Sequence, residues 1–292
     1  MRGVRDMGRW MIAGWAMVFG GMASAATPAD TEAFLDAARR TYPTAGWREG
    51  TNTLVTAYPV SGADFADRPS QGGRIRWCAV DGMRNVRDLG GWNGLPTGRA
   101  FRGSEPDCQP VEKTGRNLFH NLNVTAEGVR TMRETLGIRT DLDLRAAGEC
   151  PHPETSSLGV SLVRVPLSAY MGAFANTNLY AKALRVFADA NNYPIYFHCW
   201  GGADRTGTIA YLLEGLCGVD EVDLAIDYEL TSFVGLFGVR RRDRTAQFPQ
   251  FVAQLKTYPG ATMAERIAAY METTLGLSRE EVEHIRRNLS DE

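Results

Sequence analysis

Residues 194–216 constrain the fold of this 292-residue chain more than any other segment. Pro194-Ile195-Tyr196-Phe197 is a short apolar run of the kind that forms a strand buried on both faces. Residues 206–216 have the length and composition of a helix. Between them stands His198-Cys199-Trp200-Gly201-Gly202-Ala203-Asp204-Arg205-Thr206-Gly207. A glycine-bearing turn that enters a helix directs several backbone N–H groups into one concavity, and the helix dipole adds positive potential there. Such a place holds an anion, and the same field lowers the pKa of a thiol at its rim. Gly201 and Gly202 supply the backbone angles of the turn. Arg205, six positions after Cys199, is placed to return across the loop and grip two oxygens of a phosphate through its planar fork. Thr206 brings a hydroxyl within reach of the sulfur. The pattern suits a thiolate attacking a bound phosphate ester, with the amides of Trp200 to Asp204 and the Arg205 side chain as phosphate ligands.

Around this segment the pattern alternates between strand and helix. Helices are expected over 124–136, with Thr125 as cap, and over 178–190; strands over 138–144 and 160–165. Strands separated by helices imply an α/β fold with a mostly parallel central sheet flanked by helices in three layers. After residue 220 the chain reads as helical to its end. Residues 26–80 read as an N-terminal extension, with a helix candidate at 31–42 and a strand candidate at 53–58. Residues 81–292 are expected to form the main domain.

The loop, as it stands here, resembles the HCxxGxxRTG signature of the cysteine-dependent protein tyrosine phosphatase superfamily. It is similar in particular to a bacterial branch of tyrosine, dual-specificity and lipid phosphatases. Three further elements carry that resemblance: Asn85-Val86-Arg87-Asp88-Leu89-Gly90-Gly91, Phe101-Arg102-Gly103-Ser104, and the strand ending Asp143-Leu144-Arg145. The resemblance runs from about Asp81 to Leu289. It implies the phosphatase-type α/β sandwich, a phosphocysteine intermediate on Cys199, and no metal or cofactor. The branch has lysine where this chain has Ala203, which removes a charge that would favour multiply phosphorylated substrates.

Cleavage through phosphocysteine needs an acid for the leaving oxygen and a base for water. The superfamily often places an aspartate between the later strand and the helix before the loop, but 165–178 contains no Asp or Glu. By resemblance Asp143 is the first candidate, and Asp204 the second. Asp141, on the same strand face as Asp143, is a third. The alternative for Asp143 is a structural carboxylate paired with Arg145 or Arg87; the alternative for Asp204 is an orienting residue within the loop. His198, Arg87 and Asp88 are expected to support the site rather than touch substrate. Arg240-Arg241-Arg242-Asp243-Arg244 reads either as a basic patch for an acidic partner or, more commonly, as a solvated face. Tyr170, Phe174 and Tyr180 read as rim aromatics or as core.

Arg2, Arg5 and Arg9 precede an uncharged run over 10–23 and the small-x-small sequence Ala23-Ser24-Ala25. This has the form of a secretory signal peptide over 1–25, the run being short for a spanning helix; a retained anchor is the alternative. The expectation is an exported protein, periplasmic or secreted, without an integral membrane segment after cleavage. Its net charge is near zero (-2 for the whole chain), which gives no reason to expect a nucleic-acid partner. Five cysteines, Cys78, Cys108, Cys150, Cys199 and Cys217, leave an odd thiol, and their pairing is not set by sequence. The expected substrate is a phosphorylated protein or a small phosphate ester, acted on by a tyrosine or dual-specificity phosphatase. An inositol polyphosphate or phosphoinositide phosphatase is the alternative within the class, and a slow or inactive phosphate-binding module the alternative outside it.

Overall fold

The structure is a computed structural model that describes residues 78, 80–92, 94–108, 123–231, 240, 242 and 247–290. The expected signal peptide, the helix and strand candidates of the N-terminal extension, and Arg241, Asp243 and Arg244 lie outside the described residues. Five strands form one sheet: β1 (Arg87–Asp88), β2 (Ala100–Gly103), β3 (Thr140–Asp143), β4 (Ser161–Arg164) and β5 (Ile195–His198). Their order is β1-β2-β5-β3-β4, with only the β1–β2 pair antiparallel.

The last strand in sequence is therefore central in space. β5 pairs in parallel with β2 on one side and β3 on the other, so that Gly103, His198 and Asp143 stand in one row at the carboxyl edge. That edge is where an open parallel sheet places its ligand crevice. Alternation along the strands sorts side chains to two faces. Ala100, Leu142, Ile195 and Phe197 point into one core, whereas Phe101 and Tyr196 point into the other with Met132, Ile138 and Leu158.

The smaller face is covered by helix α1 (Ala126–Arg130), capped by the Thr125 hydroxyl accepting from Gly128 N at 3.1 Å, which loosens to a π turn over Thr131–Thr135. The larger face carries the others: α2 (Gly172–Ala175), α3 (Thr177–Ala188), α4 (Arg205–Leu216), α5 (Glu221–Leu230), α6 (Phe248–Leu255), α7 (Met263–Thr273) and α8 (Arg279–Leu289). Every residue of α4 after Tyr211, and each from Thr206 before it, is buried, because α5, α7 and α8 wrap the helix that follows the loop. Thr262 with Glu265 and Ser278 with Glu281 form capping boxes that start α7 and α8. Among the described residues no helix is long and apolar enough to cross a membrane.

Candidate active site

The turn between β5 and α4 has its carbonyl oxygens taken from outside. His198 Nδ1 lies 3.1 Å from Cys199 O. Glu105 N donates to Trp200 O at 3.1 Å, Asn85 Nδ2 to Gly201 O at 3.0 Å, and Arg102 Nη2 to Gly202 O at 2.9 Å. Gly207 N and Thr208 N then donate to Ala203 O and Asp204 O as the helix begins. A peptide unit whose carbonyl is held outward presents its N–H inward. The residues nominated from sequence, Trp200 to Arg205, thus turn their amides away from these partners at the amino end of a twelve-residue helix. Gly202 has φ +66°, and a Cβ there would run into the backbone of Gly103, so the loop packs directly on β2. Asn85, which reaches the loop from the β1 side, is also left-handed at φ 57°, a conformation asparagine tolerates.

Cys199 opens this turn and is buried. Burial pushes a thiol up, but the Arg205 charge and the hydroxyl and amide of Thr206 outweigh it and hold Cys199 below the ordinary thiol range. The Thr206 hydroxyl is buried without a conventional hydrogen-bond partner among the described residues, and the sulfur is the group it faces.

Arg205 begins α4. Its Nη1 and Nη2 donate to the two carboxylate oxygens of Glu149 at 2.8 and 2.9 Å, and Nη1 also donates to Leu144 O at 3.3 Å. Five N–H groups minus these three leave Nε–H and the second Nη2–H, which form the side edge of the fork. That edge matches two oxygens of one phosphate. Glu149 was not among the residues nominated from sequence. It lies on a short helical turn (Ala147–Glu149) after β3.

His198 is enclosed, with Nε2 3.0 Å from Asp141 Oδ1 and 3.9 Å from Asp143 Oδ1. Burial works against its charged form, yet the Asp143 and Asp141 carboxylates dominate and raise it to about 9. As an imidazolium it donates from Nδ1 to Cys199 O and forms an ion pair through Nε2 with Asp141, and it sits immediately before the nucleophile. Its Nδ1 contact with Cys199 O ties it to the start of the loop.

Asp143, the first candidate for the acid, ends β3 and is buried. Its carboxylate accepts from Arg145 N and Nε at 2.9 Å, and from Nη2 of both Arg145 and Arg164 at 2.8 Å. Burial raises its pKa, but His198, Arg145 and Arg164 together hold it well below the usual carboxylate range. Its side chain is 1% exposed and enclosed by these donors. It is paired with Arg145, and Asp141 is likewise engaged by His198 and by Ser156 Oγ at 2.6 Å.

Asp204 is the carboxylate at the loop mouth, 40% exposed. Tyr170 OH donates to its Oδ1 at 2.5 Å, and Arg240 Nη1 lies 2.9 Å from the same oxygen. Tyr170 is buried edge-on against Tyr228 and Phe248, and Tyr180 is buried with its OH on Ser168 O. With Phe174 packed among Phe251, Tyr258 and Tyr270, these aromatics are core rather than a substrate-stacking rim. Arg240 and Arg242 are not a solvated face: the first pairs with Asp204 and the second with buried Glu229 at 2.7 Å. Asp88 fastens the β1–β2 connection by accepting from Gly90 N and Gly98 N at 2.8 and 2.7 Å.

Four other cysteines are described, Cys78, Cys108, Cys150 and Cys217. Cys150 sits 3.4 Å from Asp143 Oδ2, and burial with that carboxylate pushes it up to about 12. It is a poor nucleophile beside Cys199.

The sequence matches the tyrosine phosphatase family over residues 78–291. The chain belongs to that family. It is a cysteine-dependent phosphatase of the protein-tyrosine-phosphatase type, and its sheet and helices form the corresponding α/β sandwich. Among solved structures it is similar to the core catalytic domain of the PP-IP phosphatase SIW14 from S. cerevisiae, in complex with citrate, at 20% identity and a TM-score of 0.38. That likeness covers 60% of this chain and 87% of the other. It is too distant to carry a substrate from one protein to the other. No curated protein matches the chain.

Proposed function

We propose that Cys199 is the nucleophile of a protein tyrosine or dual-specificity phosphatase and that Asp204 is its proton carrier. The observation that carries this is the loop itself. Its carbonyls are bound from outside, so its amides, the free edge of Arg205 and a thiol with a lowered pKa all face one concavity. In the first step the Cys199 thiolate forms a bond to phosphorus, the phosphorus–oxygen bond to the leaving group breaks, and Asp204 gives that oxygen its proton. In the second, water attacks the phosphocysteine while Asp204 recovers a proton from it. The sulfur leaves as a thiolate, stabilised by the Thr206 hydroxyl and by Arg205.

A monoester on a protein is favoured over an inositol polyphosphate by the charges at the mouth. Ala203 supplies none, and Arg242 is paired with buried Glu229. The Asn85–Gly91 and loop motifs support placement in the bacterial branch, and the basic start, apolar run and Ala23-Ser24-Ala25 support export after cleavage at residue 25.

The test is hydrolysis of a phosphotyrosyl peptide and of an inositol hexakisphosphate by residues 26–292, wild type beside Asp204→Asn. The expected result is preference for the peptide and a kcat loss of about 10²–10⁴-fold in the variant. Undiminished turnover in Asp204→Asn would remove its acid role, and preference for the polyphosphate would reverse the substrate reading.

A further inference from the structure

The amides of a phosphate loop face inward only if something holds its carbonyls outward, and at Gly202 that something is a buried guanidinium. Arg102, on β2, is fully buried. Its Nη2 donates to Gly202 O at 2.9 Å, and its Nη1 pairs with Asp227 Oδ2 on α5. Asp227 is itself buried and holds Arg87 through Nε at 3.0 Å. Arg87 in turn donates to Asn85 Oδ1 at 2.5 Å, and Asn85 holds the neighbouring carbonyl of Gly201. Two adjacent loop carbonyls are therefore tied, through Arg102 directly and through Arg87 and Asn85 indirectly, to one carboxylate that stands more than a hundred positions from either arginine. Both Arg102 and Asp227 are closed off from solvent.

The structure assigns Arg102 and Asp227 as positioning residues of the phosphate site: Asp227 fixes Arg102, and Arg102 turns the Gly202 peptide so that the loop presents its amides to the phosphate. The assignment rests on reading the Cys199 loop as the phosphate site, and is independent of which carboxylate supplies the proton. A purely structural ion pair would alter stability alone. A positioning pair alters oxyanion affinity and the thiolate, because both depend on the same inward amides. The charged and titratable groups around Cys199 are His198 from β5; Asp204, Arg205 and Thr206 from the loop and α4; Tyr180 from α3; Tyr196 from β5; and Glu149 beyond Arg205.

The experiment measures inhibition by vanadate and the pH midpoint of Cys199 alkylation by iodoacetamide, in wild type, Arg102→Met, Arg102→Lys and Asp227→Asn. Folding is checked by circular dichroism and thermal melting. Folded Arg102→Met is expected to bind vanadate at least about tenfold more weakly, the loss of one directed charge-assisted contact, with its alkylation midpoint moved to higher pH. Arg102→Lys keeps the charge but cannot span both Asp227 and Gly202 O, and should fall between; it decides the matter if the methionine variant does not fold. Asp227→Asn should shift both readouts in the same direction. Folded variants with lower melting points but wild-type vanadate affinity and alkylation midpoints would overturn the assignment. If instead the wild-type thiol shows no lowered midpoint and no vanadate inhibition, it is the reading of the loop that fails.

Discussion

Replacing Glu149 by Gln leaves the shape of the site intact and removes what holds the Arg205 fork. The pair makes two charge-assisted hydrogen bonds, and its side chains are 20% and 27% exposed. Bonds of that type contribute about 1.5–3 kcal/mol each in full burial, and partial exposure lowers the net for the pair to roughly 1.5–2 kcal/mol. Glutamine can accept one of the two bonds, but its amide turns a donor toward the other Nη. Without the clamp, Arg205 must be ordered by each substrate. At about 1.4 kcal/mol per factor of ten, kcat/KM for a small aryl phosphate should fall roughly 10- to 30-fold. The thiol should respond in the opposite sense. Glu149 partly offsets the Arg205 charge that favours the Cys199 thiolate, so the alkylation midpoint should hold or move to lower pH in Glu149→Gln. Slower turnover with an equal or more reactive thiol would separate positioning from charge. A kcat/KM within twofold of wild type, or a thiol midpoint displaced upward, would refute the argument.

Further outcomes follow from the same geometry. Gly202→Ala combines a left-handed backbone angle with a collision against Gly103; it should destabilise the protein by about 2–4 kcal/mol and abolish turnover, checked by urea melts and the aryl phosphate assay. His198 is raised in the fold from 6.5 to about 9, so its contribution to stability is complete below pH 6.5 and lost as pH rises through 9. In a Cys199→Ser background, which removes the opposing titration of the thiol, stability should decline by up to about 3 kcal/mol over that window. His198→Gln should flatten that slope.

How much of this was legible in sequence depends on the range of the contact. Strand β5, the loop and α4 are contiguous, so Cys199, Arg205, Thr206 and the glycines could be read from local chemistry, and the apolar period placed the helices within two or three residues. The partners that finish the site are remote. Glu149 reaches Arg205 across 56 positions, and Asp227 reaches Arg102 across 125. No spacing rule links such residues, because the sheet order that brings β2, β3 and β5 together is set by packing. Strands β1 and β2 are only two and four residues long, too short for alternation to stand out, and were visible only as motifs. The arginine partners of Asp143 were hidden for a similar reason. The Asp-Leu-Arg string could not say that Arg145 folds back on Asp143, or that Arg164 arrives from β4. Arg240 looked like one of a run of surface charges because its partner, Asp204, lies 36 positions earlier.

The central claim is a phosphocysteine on Cys199, and trapping it is the most direct test. Residues 26–292 would be mixed with a phosphate-labelled aryl phosphate, quenched in acid during turnover, digested, and mapped by mass spectrometry beside Cys199→Ser and Cys150→Ser. The account predicts label on the peptide carrying Cys199 in wild type and in Cys150→Ser, with neither label nor turnover in Cys199→Ser. Turnover that survives Cys199→Ser, or label that resides on another residue, would contradict it.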